Sequence, residues 1–254
     1  WTVPVSNKPG AGGGVMMTGL LGAEPDGLTV GVGSTNTVTL DPYANQGMPF
    51  TWESFDYPAT AMSVTFGLVA LADAPYSTLE EFIEYARENG RATVSVGGTN
   101  QEVLVRQLAD HYGVTLVAVP GKGAAAALQE ALGGHVDATT QGSQHVQQIQ
   151  AGDMKQLASL IDKRVDYAPD SMTLEESGLD PAIAMQAFTI FMAPSGVDEA
   201  VRMCLEGALD EAVASEGYGE LMKNFNNKAI NLGPQAVAAT VEQSAANYKK
   251  ALGK

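Results

Sequence analysis

Thr93-Val94-Ser95-Val96-Gly97-Gly98-Thr99-Asn100-Gln101 is the stretch that decides the fold. A run of β-branched and small residues stops at a glycine pair and passes into polar residues that open a helix, so it reads as a strand feeding a helix through a short junction. The same unit recurs on both sides. Leu28–Gly33, Thr115–Val119, Val136–Thr140, Gln156–Ile161 and Ala187–Ala193 are short apolar or β-branched runs bounded by Gly, Pro or polar residues. Helical stretches lie between them. Ser77-Thr78-Leu79-Glu80-Glu81 offers two overlapping capping boxes with a stop at Asn89-Gly90. Ala124–Leu132 closes on Gly133-Gly134, and Pro234–Leu252 starts on Gly-Pro. This alternation implies an α/β fold with mostly parallel sheets. Two stretches, Met62–Leu71 and Met185–Ala193, are long for simple βα strands. They read as a pair of strands crossing between two lobes, which makes two domains out of three chain segments.

With 254 residues, 45% of them hydrophobic and 17% charged, the chain has enough apolar material for a packed core without disulfides. No apolar run approaches the ~20 residues of a membrane span. The excess of 29 acidic over 14 basic residues gives a formal charge of −15, a field that repels nucleic acid and anionic lipid. The single cysteine, Cys204, cannot pair within the chain, and its neighbours Val201, Met203, Leu205 and Leu209 place it on the inner face of a helix as an inert buried thiol. The chain opens on Trp1, from which removal of an upstream leader is expected.

Asn7-Lys8-Pro9-Gly10-Ala11-Gly12-Gly13-Gly14 is the densest glycine run. It lacks the Gly-Lys-Ser/Thr ending of a phosphate loop and the spacing of a dinucleotide fingerprint, so it reads as a tight turn that lets the next helix pack closely. His111, His135 and His145 have no carboxylate or cysteine at ligand spacing, and no metal or cofactor is expected. No Gly-x-Ser-x-Gly elbow is present. What remains is a set of strand-to-helix junctions rich in small, hydroxyl and amide residues: Ser34-Thr35-Asn36-Thr37, Gly97-Gly98-Thr99-Asn100-Gln101, Gly121-Lys122-Gly123 and Gln141-Gly142-Ser143. In a parallel sheet they fall at the carboxyl ends of the strands, where ligands bind, and bare helix starts receive an anion. The same residues also serve simply as helix caps, and each junction taken singly fits that use.

Asn7-Lys8-Pro9-Gly10-Ala11-Gly12-Gly13 followed by Pro25-Asp26-Gly27-Leu28-Thr29 resembles the "ENRPGAGG … PDGYTL" stretch of the receptors of tripartite tricarboxylate transporters, the Bug receptors. Val119-Pro120-Gly121-Lys122-Gly123 with Leu132-Gly133-Gly134-His135-Val136-Asp137 is similar to their "VPYKG … LLGGQVD". Ile149–Ala158 resembles "IKAGKLRALA", and Tyr167-Ala168-Pro169-Asp170 with Thr173–Gly178 resembles "PDVPTLAEAG". The resemblance spans essentially the whole chain. It implies a two-lobed periplasmic binding protein of the Venus-flytrap kind, type II, with Val64–Val69 and Phe188–Met192 as crossings, residues 1–67 and 190–254 as lobe one and 68–189 as lobe two. It implies an exported, periplasmic, monomeric receptor that carries a small organic carboxylate in an interlobe cleft to membrane permease subunits, with no catalysis, no nucleic acid and no membrane insertion.

The binding residues implied by the matching motifs are Ser34, Thr35 and Asn36, then Thr65 and Phe66 at the first crossing, then Gly98, Thr99, Asn100 and Gln101 in a loop similar to the family's "AGxGSxxH". Gly121, Lys122, Gln141, Ser143 and Phe188 complete the set. The family's histidine is absent from the Gly98 loop, and Gly121 replaces a tyrosine, which opens space or removes a hydroxyl contact. Phe188 stands where the family has tryptophan, and it and Phe66 either line an aromatic-acid pocket or pack as core. Family members also begin with a βα unit ahead of the stretch that opens here. Two rival functions fit the same chain: a sensing module that reports ligand occupancy to a membrane partner, and an enzyme on the same scaffold using Lys122.

Overall fold

The computed structural model describes residues 2–45, 47–180, 185 and 187–254. Residues 1 and 46 of the expected first lobe, and 181–184 and 186 of the expected second, lie outside the described residues. The chain forms two compact units, Trp1–Ser63 with Ala187–Lys254 and Val64–Gln186. Both boundaries fall a few residues ahead of the expected 67/68 and 189/190. Thr65 and Phe66 therefore belong to the unit of residues 64–186, and Phe188 to the other. The cause is where the ladders stop: one strand ends at Val64, and the returning strand already begins at Ala187.

The glycine-rich opening is a turn. Gly10, Gly12 and Gly13 take φ of +125°, +63° and +103°, and a Cβ on Gly13 would lie 3.1 Å from Thr37 Oγ1. That hydroxyl donates to the Gly12 carbonyl at 2.9 Å, which pins the turn to the following loop. It leads into α1 (Gly14–Leu21), which buries Met17 and Leu20. After α1 come β1 (Gly31–Ser34), the short α2 (Asn36–Thr39) and α3 (Asp41–Ala44), and the ten-residue β2 (Phe55–Val64).

The chain then enters the 64–186 unit through Thr65 and Phe66. Its elements are β3 (Gly67–Leu71), α4 (Leu79–Glu88), β4 (Ala92–Val96), α5 (Thr99–Tyr112), β5 (Leu116–Pro120), α6 (Ala124–Leu132), β6 (Ala138–Gln141), α7 (Val146–Ala151) and β7 (Met154–Ser159). Thr78 caps α4, its hydroxyl accepting from Glu81 N at 3.2 Å, while Glu81 Oε2 accepts from Ser77 N at 2.6 Å. The sheet order is β5-β4-β6-β3-β7. β4 runs parallel to β5 and β6, and β3 is antiparallel to β6 and β7. Four strands thus share one direction, as the βα reading requires. β3 opposes them because it arrives directly from β2 with no crossover helix to reverse it.

The returning segment supplies β8 (Ala187–Pro194), α8 (Glu199–Ala214), α9 (Glu216–Asn224), the short β9 (Lys228–Ala229) and α10 (Pro234–Ala251). The second sheet has the order β1-β8-β2-β9, with β1 antiparallel to β8 and β2 antiparallel to β9. Met17, Leu20, Val38, Phe50, Phe55, Ile190, Met192, Val237 and Val241 form its core. Cys204 is exposed rather than buried, and Met203 beside it is 62% exposed. Val201 and Leu205, one turn apart, are the residues that face Gly27, and positions 203 and 204 lie off that stripe. Among the described residues no helix is long and apolar enough to cross a membrane.

Candidate functional site

Register places four predicted segments at one end of the β5-β4-β6-β3-β7 sheet. Val96 pairs with Pro120, the last residues of β4 and β5, and Gly67, the first residue of β3, pairs with Gln141 and Ser159, the last of β6 and β7. Gly97–Gln101, Gly121–Gly123, Gln141–Ser143 and Thr65–Phe66 therefore share one edge of the unit. Gly98 is the N-cap of α5 and offers no side-chain cap, so the first amides of this helix keep their donors. Thr99 and Asn100 are half-buried in its first turn. Gln101 is buried, and its Oε1 accepts from Gly97 N–H, which makes it a brace for the junction.

The glycines here are needed for close approach. A Cβ on Gly97 would meet Ala124 Cα and N at 2.7 Å, and one on Gly121 would meet Ala127 N at 2.9 Å. The space expected to open at Gly121 is filled by the α6 backbone, since α6 seats its first turn against the end of β4. Gly121 N also donates to the Val96 carbonyl at 2.8 Å. Lys122 is exposed and Ser143 half-buried.

β6 is an unusual strand. Ala138, Thr139, Thr140 and Gln141 are all buried, so three polar side chains need partners away from water. Thr139 Oγ1 donates to Ser95 O at 3.2 Å and lies 2.8 Å from Gln141 Nε2. Gln141 Oε1 and Thr140 Oγ1 are sealed from water without a partner.

His145, fully buried just after β6, sits with Nδ1 against the Gly142 carbonyl and Nε2 3.0 Å from Gln156 Oε1. Gln156 Nε2 reaches Ser171 Oγ at 3.3 Å. Burial lowers the pKa of His145, against the pull of the Gln156 and Gly142 oxygens, which favour the charged ring. The edge of this ring meets Tyr167, centroids 5.5 Å apart. Burial raises the Tyr167 pKa while the neighbouring Thr65 hydroxyl lowers it, yet neither hydroxyl completes a well-formed hydrogen bond. Phe66 is 8% exposed and its carbonyl accepts from Leu160 N at 2.9 Å, which assigns it to the core.

His145, Gln156, Tyr167 and Ser171 are members of this cluster that the strand-end reading misses. The available signal was the Thr-Thr-Gln run itself: a strand with no apolar alternation has to bury polar groups.

In the other unit, Ser34 pairs with Thr189 across β1 and β8. Thr35 N donates to the Phe188 carbonyl at 2.9 Å, and Phe188 N donates to Thr35 Oγ1 at 3.2 Å. Asn36 N donates to Ser34 Oγ at 3.3 Å, and Asn36 Oδ1 accepts from Tyr248 OH at 3.2 Å. Burial and the Asp41 charge raise the Tyr248 pKa and keep that phenol a donor. Ser34, Thr35, Asn36 and Phe188 are thus brought together, largely through bonds to one another and to α10. Phe188 packs against the core of its unit. Among the described residues no cluster of His, Cys, Asp and Glu is arranged to hold a metal.

Two α/β units made from three chain segments, with helix starts and buried hydroxyl and amide groups at the strand ends, define a two-lobed binding protein of type II. The chain belongs to the tripartite tricarboxylate transporter family receptors, whose family pattern matches residues 1–253. A UPF0065 protein of Bordetella pertussis is 30% identical over 226 residues, covering 87% of this chain and 70% of the relative. Among solved structures, the periplasmic binding protein BugD is 26% identical with a TM-score of 0.81, over 98% of this chain and 86% of that one. A TctC solute binding protein from Polaromonas is 25% identical with the same TM-score, over 98% and 85%. The family and these neighbours are solute-binding receptors.

Proposed function

We propose that this chain is a periplasmic receptor that captures a small organic carboxylate, holds it without chemical change and passes it to the permease subunits of a tripartite transporter. The observation that supports it most is the collection, at one edge of the 64–186 unit, of an uncapped helix start and of hydroxyl and amide groups sealed from water without partners. A carboxylate takes donors of this kind, backbone N–H aided by the helix dipole and side-chain hydroxyls. Gly98, Thr99 and Asn100 supply the first, and Thr65 supplies one of the second. Gln141 and Ser143 border the same edge, with Gln101 and Gly121 fixing the backbone and Lys122 exposed at its rim. In the other unit, taken by itself, Ser34, Thr35 and Asn36 are the candidate donors with Phe188 as their apolar support, while Phe66 supports the edge of the 64–186 unit. The charge of −15 does not oppose this, because donors act at ~3 Å while surface charge is screened beyond ~8 Å at physiological salt. The reading needs neither nucleophile nor general base, and the receptor acts as a monomer.

A thermal-shift and calorimetric screen across mono-, di- and tricarboxylates tests it. At least one small acid raises the melting temperature in a saturable way, and its bound form is recovered unaltered. Failure of every acid to stabilise the protein defeats the proposal, and recovery of a converted product favours the enzyme.

A further inference from the structure

Gln141 carries chemistry that a bare carboxylate does not answer. The Thr139 hydroxyl has one proton, and it is given to Ser95 O at 3.2 Å. Toward Gln141 it can therefore only accept, which fixes the amide with Nε2 on Thr139 at 2.8 Å. Oε1 is left facing away from Thr139, fully buried and with no donor. Gln141 is the last residue of β6, opposite Gly67, and Thr65 lies two residues ahead of Gly67. The Thr65 and Tyr167 hydroxyls lie beside one another, with no partner beyond each other. One edge thus presents an acceptor that asks for a donor, together with a hydroxyl pair that has a proton to give. A carboxylate satisfies the hydroxyls and repels the carbonyl oxygen.

Resting on the receptor reading above, we propose that the acid taken by this protein is a hydroxy acid, whose hydroxyl donates to Gln141 Oε1 while its carboxylate is held by the donors of the same edge. A hydroxyl fits better than an ammonium group. None of the hydrogen-bond partners found for Thr65, Thr139, Gln141, His145, Gln156, Tyr167 and Ser171 among the described residues is an acidic side chain. A buried cation would be left without its counter-charge.

Calorimetry on the purified protein with three matched pairs decides the matter: lactate and propionate, malate and succinate, citrate and tricarballylate. Within the pair of fitting size, the hydroxy acid binds at least about tenfold tighter than its deoxy partner, the effect of one hydrogen bond to a buried acceptor. Gln141→Met removes that preference, so that the two acids of the pair bind with equal affinity; where this variant does not fold, the wild-type pairs alone decide. Equal affinity within every pair overturns the inference and leaves the receptor reading standing, as does aspartate binding more tightly than malate. Absence of binding by every acid, carboxylate or hydroxycarboxylate, overturns both.

Discussion

Replacing Gly97 by alanine tests whether the junction glycines are there for packing. A Cβ at Gly97 would sit 2.7 Å from Ala124 Cα and N and 3.1 Å from Gly123 C, where ordinary contact begins near 3.4 Å. The obstructing atoms are backbone, so no rotamer change relieves them, and α6 has to withdraw by several tenths of an ångström from β4. Overpacking of this kind costs about 1–3 kcal/mol. For a chain of this size that lowers the midpoint by roughly 2–12 °C. Gly121→Ala pushes on the same helix, its Cβ 2.9 Å from Ala127 N. One withdrawal of α6 relieves both contacts, so the double variant loses less than the sum of the single ones. Gly207→Ala is the control: it lies inside α8 with nothing within 4 Å, and there alanine stabilises by about 1 kcal/mol. Urea and thermal melts followed by far-ultraviolet circular dichroism measure all four. A Gly97→Ala protein within about 0.5 kcal/mol of wild type, or strictly additive losses in the double variant, refutes the reasoning.

Three further outcomes follow from buried polar groups. Burial raises the Asp41 carboxyl from 3.8 to about 6, so the folded chain holds its proton more tightly than the unfolded one; this contribution is complete below about pH 4 and is lost as pH rises through 6. The full shift bounds the effect at about 3 kcal/mol, and partial solvent access reduces it, so Asp41→Asn stabilises by about 1–2 kcal/mol at pH 7.5 with the gain vanishing near pH 4, as paired urea melts will read. His145 has the opposite sign: its folded pKa lies below the ordinary 6.5, so its stability is present above that value and is lost as pH falls, and His145→Gln flattens the acid side of a stability profile between pH 7.5 and 5. Asp137 accepts from Thr93 N at 2.7 Å, Thr93 Oγ1 at 2.6 Å and Tyr85 OH at 3.2 Å, so Asp137→Ala strands three donors between β4 and α4 and costs about 2–3 kcal/mol in the same melts.

The βα alternation was legible because β4, β5 and β6 each stop at a glycine or proline and each helix is punctuated. Three of the four junctions share one edge because β4, β5 and β6 run in the same direction, whereas Ser34–Thr37 follows β1 in the other unit. Cys204 was misplaced for a reason that periodicity cannot repair. Val201, Met203 and Leu205 are equally apolar, and only the position of Gly27 selects the 201–205 stripe as the face that packs. Of the two readings of Gly121, opened space or a lost hydroxyl contact, the first fails similarly, because sequence shows what side chain is missing but not that the α6 backbone lies against that position.

The harder part to read was the division of labour among polar residues at the junctions. Thr35, Asn36 and Gln101 looked like ligand donors, yet each spends hydrogen-bonding capacity on the backbone or on α10: Thr35 on Phe188, Asn36 on Tyr248, Gln101 on Gly97. Thr65, named with them, and Tyr167, which was not, carry the unsatisfied hydroxyls. Such a distinction depends on where each proton goes, and proton accounting needs neighbours from distant parts of the chain: Ser95 for Thr139, Gly142 and Gln156 for His145. A buried polar group whose partners are all found in the chain stiffens the fold, whereas one left short can be completed only from outside the chain. By that criterion the site we propose selects its ligand at the β6 end rather than at the more conspicuous glycine loops, while the glycines let α6 pack close to β4.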